Sequence, residues 1–314
     1  MSRIHEALKK AEQERAATQG GTESGYGTSQ AVATPDPLLD AQAGVGTDML
    51  PPIGAPATAG APAFGNALSV DNLLARSVPM EWRPEPGTML FMNGDDNVRG
   101  AEEFRTLRSR LYHMRERMPL RKILVTSALP KEGKSFTAAN LAQVIVRQHG
   151  RRVLLVDADL RSPRLHHMFG TTAHPGLADY LTGRSDEFSI MQRGSLENLF
   201  FIPSGSDIGN PAELVGNGRL KLLLQKVEPL FDWIIVDSPP AVPVSDAGML
   251  AKACDGVLMV VRSNATPSDV ARKAREEFPD QALVGVVLNG TQEKTVPYSR
   301  YYYGSYEKKT TANS

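Results

Sequence analysis

Thr126–Asn140, TSALPKEGKSFTAAN, follows the apolar run Lys122–Val125, and its reading decides the fold. A short β-like segment enters a turn, Gly133-Lys134-Ser135 comes next, and Phe136 to Val146 reads as a helix. Strand, tight loop and helix start in that order make a phosphate-binding loop. Amides at the helix start face an anion, the lysine ammonium reaches the outer phosphates, and the serine hydroxyl can ligate Mg2+. Gly133 suits a backbone that passes close to a phosphate, where a Cβ would collide. The strict pattern G-x-x-x-x-G-K-[ST] is not met, because Ala128 stands at its first glycine. A GKS tripeptide alone is weak. Its place between a strand and a helix carries the nucleotide-binding reading, with Ala128, Lys131, Glu132, Gly133, Lys134, Ser135 and Phe136 as candidate contacts.

The chain has 314 residues, room for one or two domains at roughly 150 residues each. Lysines and arginines balance aspartates and glutamates at 35 each, so bulk charge makes no case for nucleic acid. The one cysteine, Cys254, excludes an intramolecular disulfide and a cysteine-based metal site. Beside the apolar run Gly256–Val261 it reads as a buried thiol. No stretch approaches the ~18 apolar residues of a membrane span, and no signal-peptide core is present. The expectation is a cytoplasmic protein, peripheral at the inner face of the membrane through a partner.

Composition divides the chain. Ser2–Arg15 is rich in helix formers with Ser2 as N-cap, and Ile4, Leu8 and Ala11 make a narrow stripe, a frayed end or a short docking helix. The Gly/Ala/Pro/Ser/Thr-rich stretch that follows has too few large apolar residues to offset chain entropy. The expected layout is a helix over 1–16, a flexible linker over 17–94, a globular domain over 95–290 and a tail over 291–314. Within the linker, Leu68–Leu74 offers a brief apolar interruption.

In the globular part, Phe104, Leu107, Leu111, Met114 and Met118 recur at helical spacing, while Glu102, Arg105 and Arg108 share a second stripe. That stripe is an ion-pair row on a solvated face or a surface that meets another subunit. Further on, β-like runs Arg152–Val156, Leu199–Ile202, Trp233–Val236, Gly256–Val261 and Leu283–Leu288 alternate with helix candidates Gly176–Leu181, Pro211–Val227, Asp246–Lys252 and Pro267–Glu277. Runs apolar throughout predict strands buried on both faces, and the alternation predicts a mostly parallel α/β sheet flanked by helices.

Two of these strands end in carboxylates. VLLVDADLR (153–161) carries Asp157 and Asp159, and WIIVDSPP (233–240) carries Asp237, the pattern of a Walker B strand. The carboxyl ends of strands in an open α/β sheet are where ligands sit. Carboxylates gathered there repel unless a cation or proton separates them, which points to Mg2+; an aspartate that caps the following turn is the alternative.

The order GKS, VDADLR, IIVDSPP and Ser245-Asp246-Ala247 resembles the bacterial tyrosine kinase family. These are P-loop enzymes of the CpsD/CapB type, related to MinD/ParA ATPases, that act with capsular and exopolysaccharide export systems. The resemblance covers about Arg99–Tyr306. It implies that Asp157, Asp159 and Arg161 form the family's second motif, and that Glu102, Arg105 and Arg108 match its ring-forming motif E-x-x-R-x-x-R. It also makes Tyr298, Tyr301, Tyr302, Tyr303 and Tyr306 a C-terminal phosphoacceptor cluster.

The implied activity is ATP-dependent tyrosine autophosphorylation between subunits of a ring-like homo-oligomer, with a separate membrane co-polymerase adaptor as activator and a phosphatase as opponent. Lys134 would hold phosphates, Ser135, Asp159 and Asp237 would hold Mg2+, and Asp157 would accept the tyrosine proton, with Asp157 and Asp159 able to exchange roles. Asn289 stands where relatives contact the base; a loop-capping role is the alternative. Each phosphorylation would add roughly −1.5 to −2 charge, repelling the tail from an acidic site. The loop departs from the family's P-G-E-G-K-S by placing Lys131 at a glycine, and Leu129 stands at the MinD/ParA signature lysine. The competing reading is a P-loop ATPase switch or scaffold without kinase activity. His166-His167, without a carboxylate or cysteine at ligand spacing, reads as turn residues, and Arg161 and Arg164 as contacts to phosphate or to a neighbouring subunit.

Overall fold

The computed structural model describes residues 69–85, 87–92, 100–148, 150–206, 209–278 and 283–291. The expected N-terminal helix over 1–16 and the tyrosine cluster lie outside them. The longest apolar runs form the centre of one eight-stranded sheet. Strands β2 (Lys122–Ser127), β3 (Val153–Asp157), β5 (Leu199–Ile202), β6 (Trp233–Asp237), β7 (Gly256–Arg262) and β8 (Leu283–Asn289) are parallel, in the order β5-β3-β6-β2-β7-β8. Beyond β5 a short β4 (Gln192–Arg193) runs antiparallel to it, and β1 (Val78–Pro79) pairs with β4.

The continuous apolar character of the central strands has its cause in two cores. Leu154, Val156, Ile234 and Val236 face one of them; Val153, Leu155, Trp233 and Ile235 face the other. The β3–β6 register pairs Asp157 with Asp237 at the carboxyl end, so two acidic side chains stand next to each other. β8 differs from the expectation of burial on both faces. It is the edge of the sheet, and Val286 and Leu288 are about half exposed there.

Helix α2 (Ala101–Arg115) buries Phe104 and Leu111 and packs on α3 (Lys134–Val146), the helix behind the phosphate loop. Helix α3 is buried along twelve of its thirteen residues, so its polar Asn140 and Gln143 need internal partners. They find them in the segment before α2. Asn140 Oδ1 accepts from the Leu90 amide at 2.8 Å, its Nδ2 donates to the Thr88 carbonyl at 2.9 Å, and Gln143 Oε1 accepts from the Phe91 amide at 3.2 Å.

The folded part therefore begins well before residue 95, the boundary that composition predicts. Helix α1 (Val70–Arg76) is N-capped by Ser69, whose side chain accepts from the Asn72 amide, and it buries Leu73. Strand β1 extends the sheet, and Trp82, Met89, Leu90 and Phe91 are buried. Low average hydrophobicity hid this segment, because a few large apolar residues spaced along it do the anchoring.

Two helix expectations also shift. Pro211–Val227 is two helices, α6 (Pro211–Gly216) and α7 (Arg219–Val227), broken where Gly218 takes φ 79°. His166 and His167 lie on a short α4 (Leu165–Phe169) rather than in a turn. The remaining helices are α5 (Leu177–Leu181), α8 (Asp246–Ala251) and α9 (Ser268–Glu276).

Candidate active site

Gly133 caps α3 with φ 95°, a left-handed conformation, and a Cβ there would stand 2.0 Å from Asn289 Nδ2. Both the backbone and the space therefore require glycine. The loop before it is braced from the carboxyl ends of β7 and β8. Glu132, buried, accepts from the Leu129 amide at 2.7 Å and from the Thr266 hydroxyl, and its carbonyl accepts from Asn289 Nδ2 at 2.9 Å. Lys131 takes φ 65°, and its carbonyl accepts from Arg262 Nη1 at 3.1 Å. The glycine that the family pattern places at this position is explained by that backbone. A lysine there carries roughly 1–2 kcal/mol of left-handed strain.

Lys134 is the centre of the charge cluster. Its ammonium is 2.6 Å from Asp159 Oδ2 and 3.8 Å from Asp237 Oδ2, and it donates to Ser135 Oγ at 3.2 Å. Burial works against its charge, but Asp237 and Asp159 outweigh that and raise its pKa. Burial pushes the Asp237 carboxyl up to about 6, with Lys134 opposing. Asp157 is pushed well above the usual carboxylate range by burial and by Asp237 beside it. Asp157 Oδ2 accepts from the Leu165 amide at 3.1 Å; its Oδ1 and both oxygens of Asp237 have no hydrogen-bond partner.

Above this cluster opens a cavity of about 510 Å³. Lys131, Gly133, Lys134, Ser135, Phe136 and Asp159 line one part of it, and Arg161, Arg164, Met168 and the prolines after β6 line another. The structure thus brings together Lys134, Ser135, Asp157, Asp159 and Asp237, while Ala128 is buried in the core. Asn289 holds the loop backbone, the capping alternative, rather than lining this cavity.

Sequence reasoning missed Arg262, Thr266 and Glu85 (a cavity-lining residue in the supposed linker). Their signal is tertiary: Thr266 and Glu132 are 134 residues apart. Among the described residues no group of three or more His, Cys, Asp or Glu stands in ready metal-ligand geometry. Cys254 is buried, and burial raises its thiol pKa.

The AAA domain family matches residues 123–268, from β2 to the start of α9. Tyrosine-protein kinase YwqD of Bacillus subtilis is 36% identical over 208 residues, which cover 65% of this chain and 86% of YwqD. The chain belongs to the bacterial tyrosine kinase family. Tyrosine-protein kinase CpsD of Streptococcus agalactiae is 34% identical, with 60% of this chain and 82% of CpsD covered. The putative tyrosine-protein kinase EpsB of Ralstonia nicotianae is 35% identical, but the chain spans only 27% of its length. Among solved structures, the kinase domain of the Escherichia coli tyrosine kinase ETK superposes with a TM-score of 0.60 at 27% identity, covering 70% of this chain and 91% of that one.

Proposed function

We propose that the chain is an ATP-dependent protein-tyrosine kinase that phosphorylates its own C-terminal tyrosines between subunits and acts with a capsular or exopolysaccharide assembly system. The observation that carries this reading is Lys134 held between Asp159 and Asp237 on the floor of the cavity. Phosphoryl transfer asks mainly for positioning and charge stabilisation, and the loop amides with Lys134 supply both for the outer phosphates.

The residues fit Mg2+. Three buried carboxylate oxygens, one on Asp157 and two on Asp237, accept no hydrogen bond, and the Lys134 ammonium stands 3.8 Å from one of them; such oxygens are costly unless a cation or a proton satisfies them. Ser135, Asp159 and Asp237 would hold the ion, which when bound neutralises charge on the phosphates. Asp157 is the candidate that the family resemblance gives to accept the tyrosine proton, and it lies fully buried beside Asp237 at the end of β3. A second reading exchanges it with Asp159, which is the one of the pair that lines the cavity.

Incubation of the full chain and of a version truncated before Tyr298 with Mg·ATP tests the function. Phosphotyrosine in the first and not the second is expected. Hydrolysis without any protein labelling would favour the ATPase switch instead.

The proposed oligomer surface is the stripe of Glu102, Arg105 and Arg108. Arg105 pairs with Glu102 at 2.9 Å on the exposed face, whereas Arg108 donates to the Val144 carbonyl at the end of α3. Arg105→Glu should therefore lower the mass read by light scattering without loss of melting temperature. Arg108→Ala should also destabilise the fold, by about 1 kcal/mol. Unchanged mass in Arg105→Glu would leave the stripe as an intrahelical ion pair. No helix among the described residues is long and apolar enough to cross a membrane. The proposed place is the cytoplasmic face of the membrane, reached through a co-polymerase adaptor and reversed by a phosphatase.

A further inference from the structure

Arg161 follows Asp159 by two residues and lines the cavity together with Lys134, Ser135 and Asp159. Its guanidinium is not left to choose an orientation. Nε donates to Asp246 Oδ2 at 2.7 Å and Nη2 donates to Asp246 Oδ1 at 3.0 Å, a two-point pairing across 85 residues. Asp246 opens helix α8 and its side chain is 2% exposed, whereas that of Arg161 is 39% exposed. Both carboxylate oxygens are thus spent on one edge of the guanidinium.

A guanidinium has five N–H donors in a rigid plane, so the pairing leaves its remaining donors free. A buried carboxylate costs stability unless it is paired. Here the pairing fixes a permanent cation at the wall of a phosphate-binding cavity, and planar guanidinium groups bind phosphate oxygens at two points. The neighbours on the same wall are the backbone after β6 and the loop after β3, both rigidly attached to central strands.

We propose that Asp246 is a positioning residue that aims Arg161 at the terminal phosphoryl group of the bound nucleotide, making Arg161 a selector for triphosphate over diphosphate and a catalytic residue in the transfer. This rests on the reading that the Lys134 loop holds the nucleotide. Lys134 and the loop amides account for the phosphates shared by ATP and ADP; Arg161 adds a contact that only the third phosphate can meet. Charge gathers on that group as it is transferred, which is where an oriented cation has most effect.

The test is calorimetric titration of the full chain with Mg·ADP and with a Mg-bound non-hydrolysable ATP analogue, alongside melting curves. Arg161→Ala should lower the preference for the triphosphate by about tenfold or more and leave ADP affinity close to wild type. Asp246→Asn keeps the cation but loses its aim, and should give a smaller fall in the same preference. The double variant Arg161→Ala/Asp246→Ala removes the orphaned buried carboxylate, and should match Arg161→Ala in binding while melting nearer to wild type. A purely structural ion pair would lower the melting temperature in the single variants and leave the triphosphate preference unchanged in all three; that result overturns the proposal. A wild-type chain that binds neither nucleotide would overturn the loop reading and this proposal with it. Normal ADP binding with an unchanged preference would overturn this proposal alone.

Discussion

Lys134→Met is expected to remove tyrosine phosphorylation, with a rate at least about 1000-fold below wild type, the upper range for loss of one charge-stabilising donor at a reacting centre. The side chain lengths are similar, so packing changes little and charge is what is lost. Lys134 is the cation that the structure places against Asp159 and Asp237, and its ammonium is the group proposed to meet the outer phosphates. Without it, three carboxylates share a buried floor, and Asp237 and Asp157, both already raised, will take up protons rather than remain charged side by side. That protonation blunts the stability cost. The variant should remain folded in a melting experiment while its phosphotyrosine signal falls to background. Substantial phosphotyrosine in Lys134→Met would sink the assignment of the loop as the catalytic centre.

Trp82→Ala is expected to be the largest single loss of stability outside the central strands, about 3–5 kcal/mol. Trp82 lies in the region that composition assigns to a flexible linker, so the effect separates the two views of residues 69–92. Its ring is buried, meets Phe169 edge-on at 4.7 Å, and fills the space over Gly194, where a Cβ would come within 2.2 Å of it. Truncation leaves a cavity between β1, α4 and the backbone at Gly194 that rigid neighbours cannot close. For a domain of this size a loss of that order lowers the melting temperature by roughly 6–20 °C. A change within a degree or two would return the segment to the linker. Because the same segment carries Glu85 to the cavity wall and caps Asn140 and Gln143 of α3, nucleotide affinity should weaken in parallel.

The reading of the chain as a parallel α/β P-loop domain was available from local pattern. Continuous apolar runs ending in aspartate, separated by helical periodicity, have few other folded solutions, and GKS between a strand and a helix places the nucleotide end of the sheet. Lys134, Ser135, Asp157, Asp159 and Asp237 were identifiable for that reason: each is tied to the end of an element whose type its neighbours determine. The tyrosine cluster at 298–306 remains an expectation from the sequence, because it lies outside the described residues.

What only the tertiary structure decided are relations across the chain. The β3–β6 register sets Asp157 beside Asp237, and that proximity, with burial, raises their pKa values. Glu132 reads as one more candidate nucleotide contact of the loop until Thr266 and the Leu129 amide are found on its carboxylate and Asn289 on its carbonyl. Asp246 acquires its partner Arg161 only when α8 and the loop after β3 meet at the same strand ends. Residues 69–92 could not be assigned from average hydrophobicity, since their anchoring comes from a few large side chains and from backbone groups that satisfy buried polar residues of α3. Local sequence sets which elements form, because periodicity and capping act over a few residues. Which charged groups neutralise, brace or aim one another depends on contacts between distant segments, and those exist only in the folded chain.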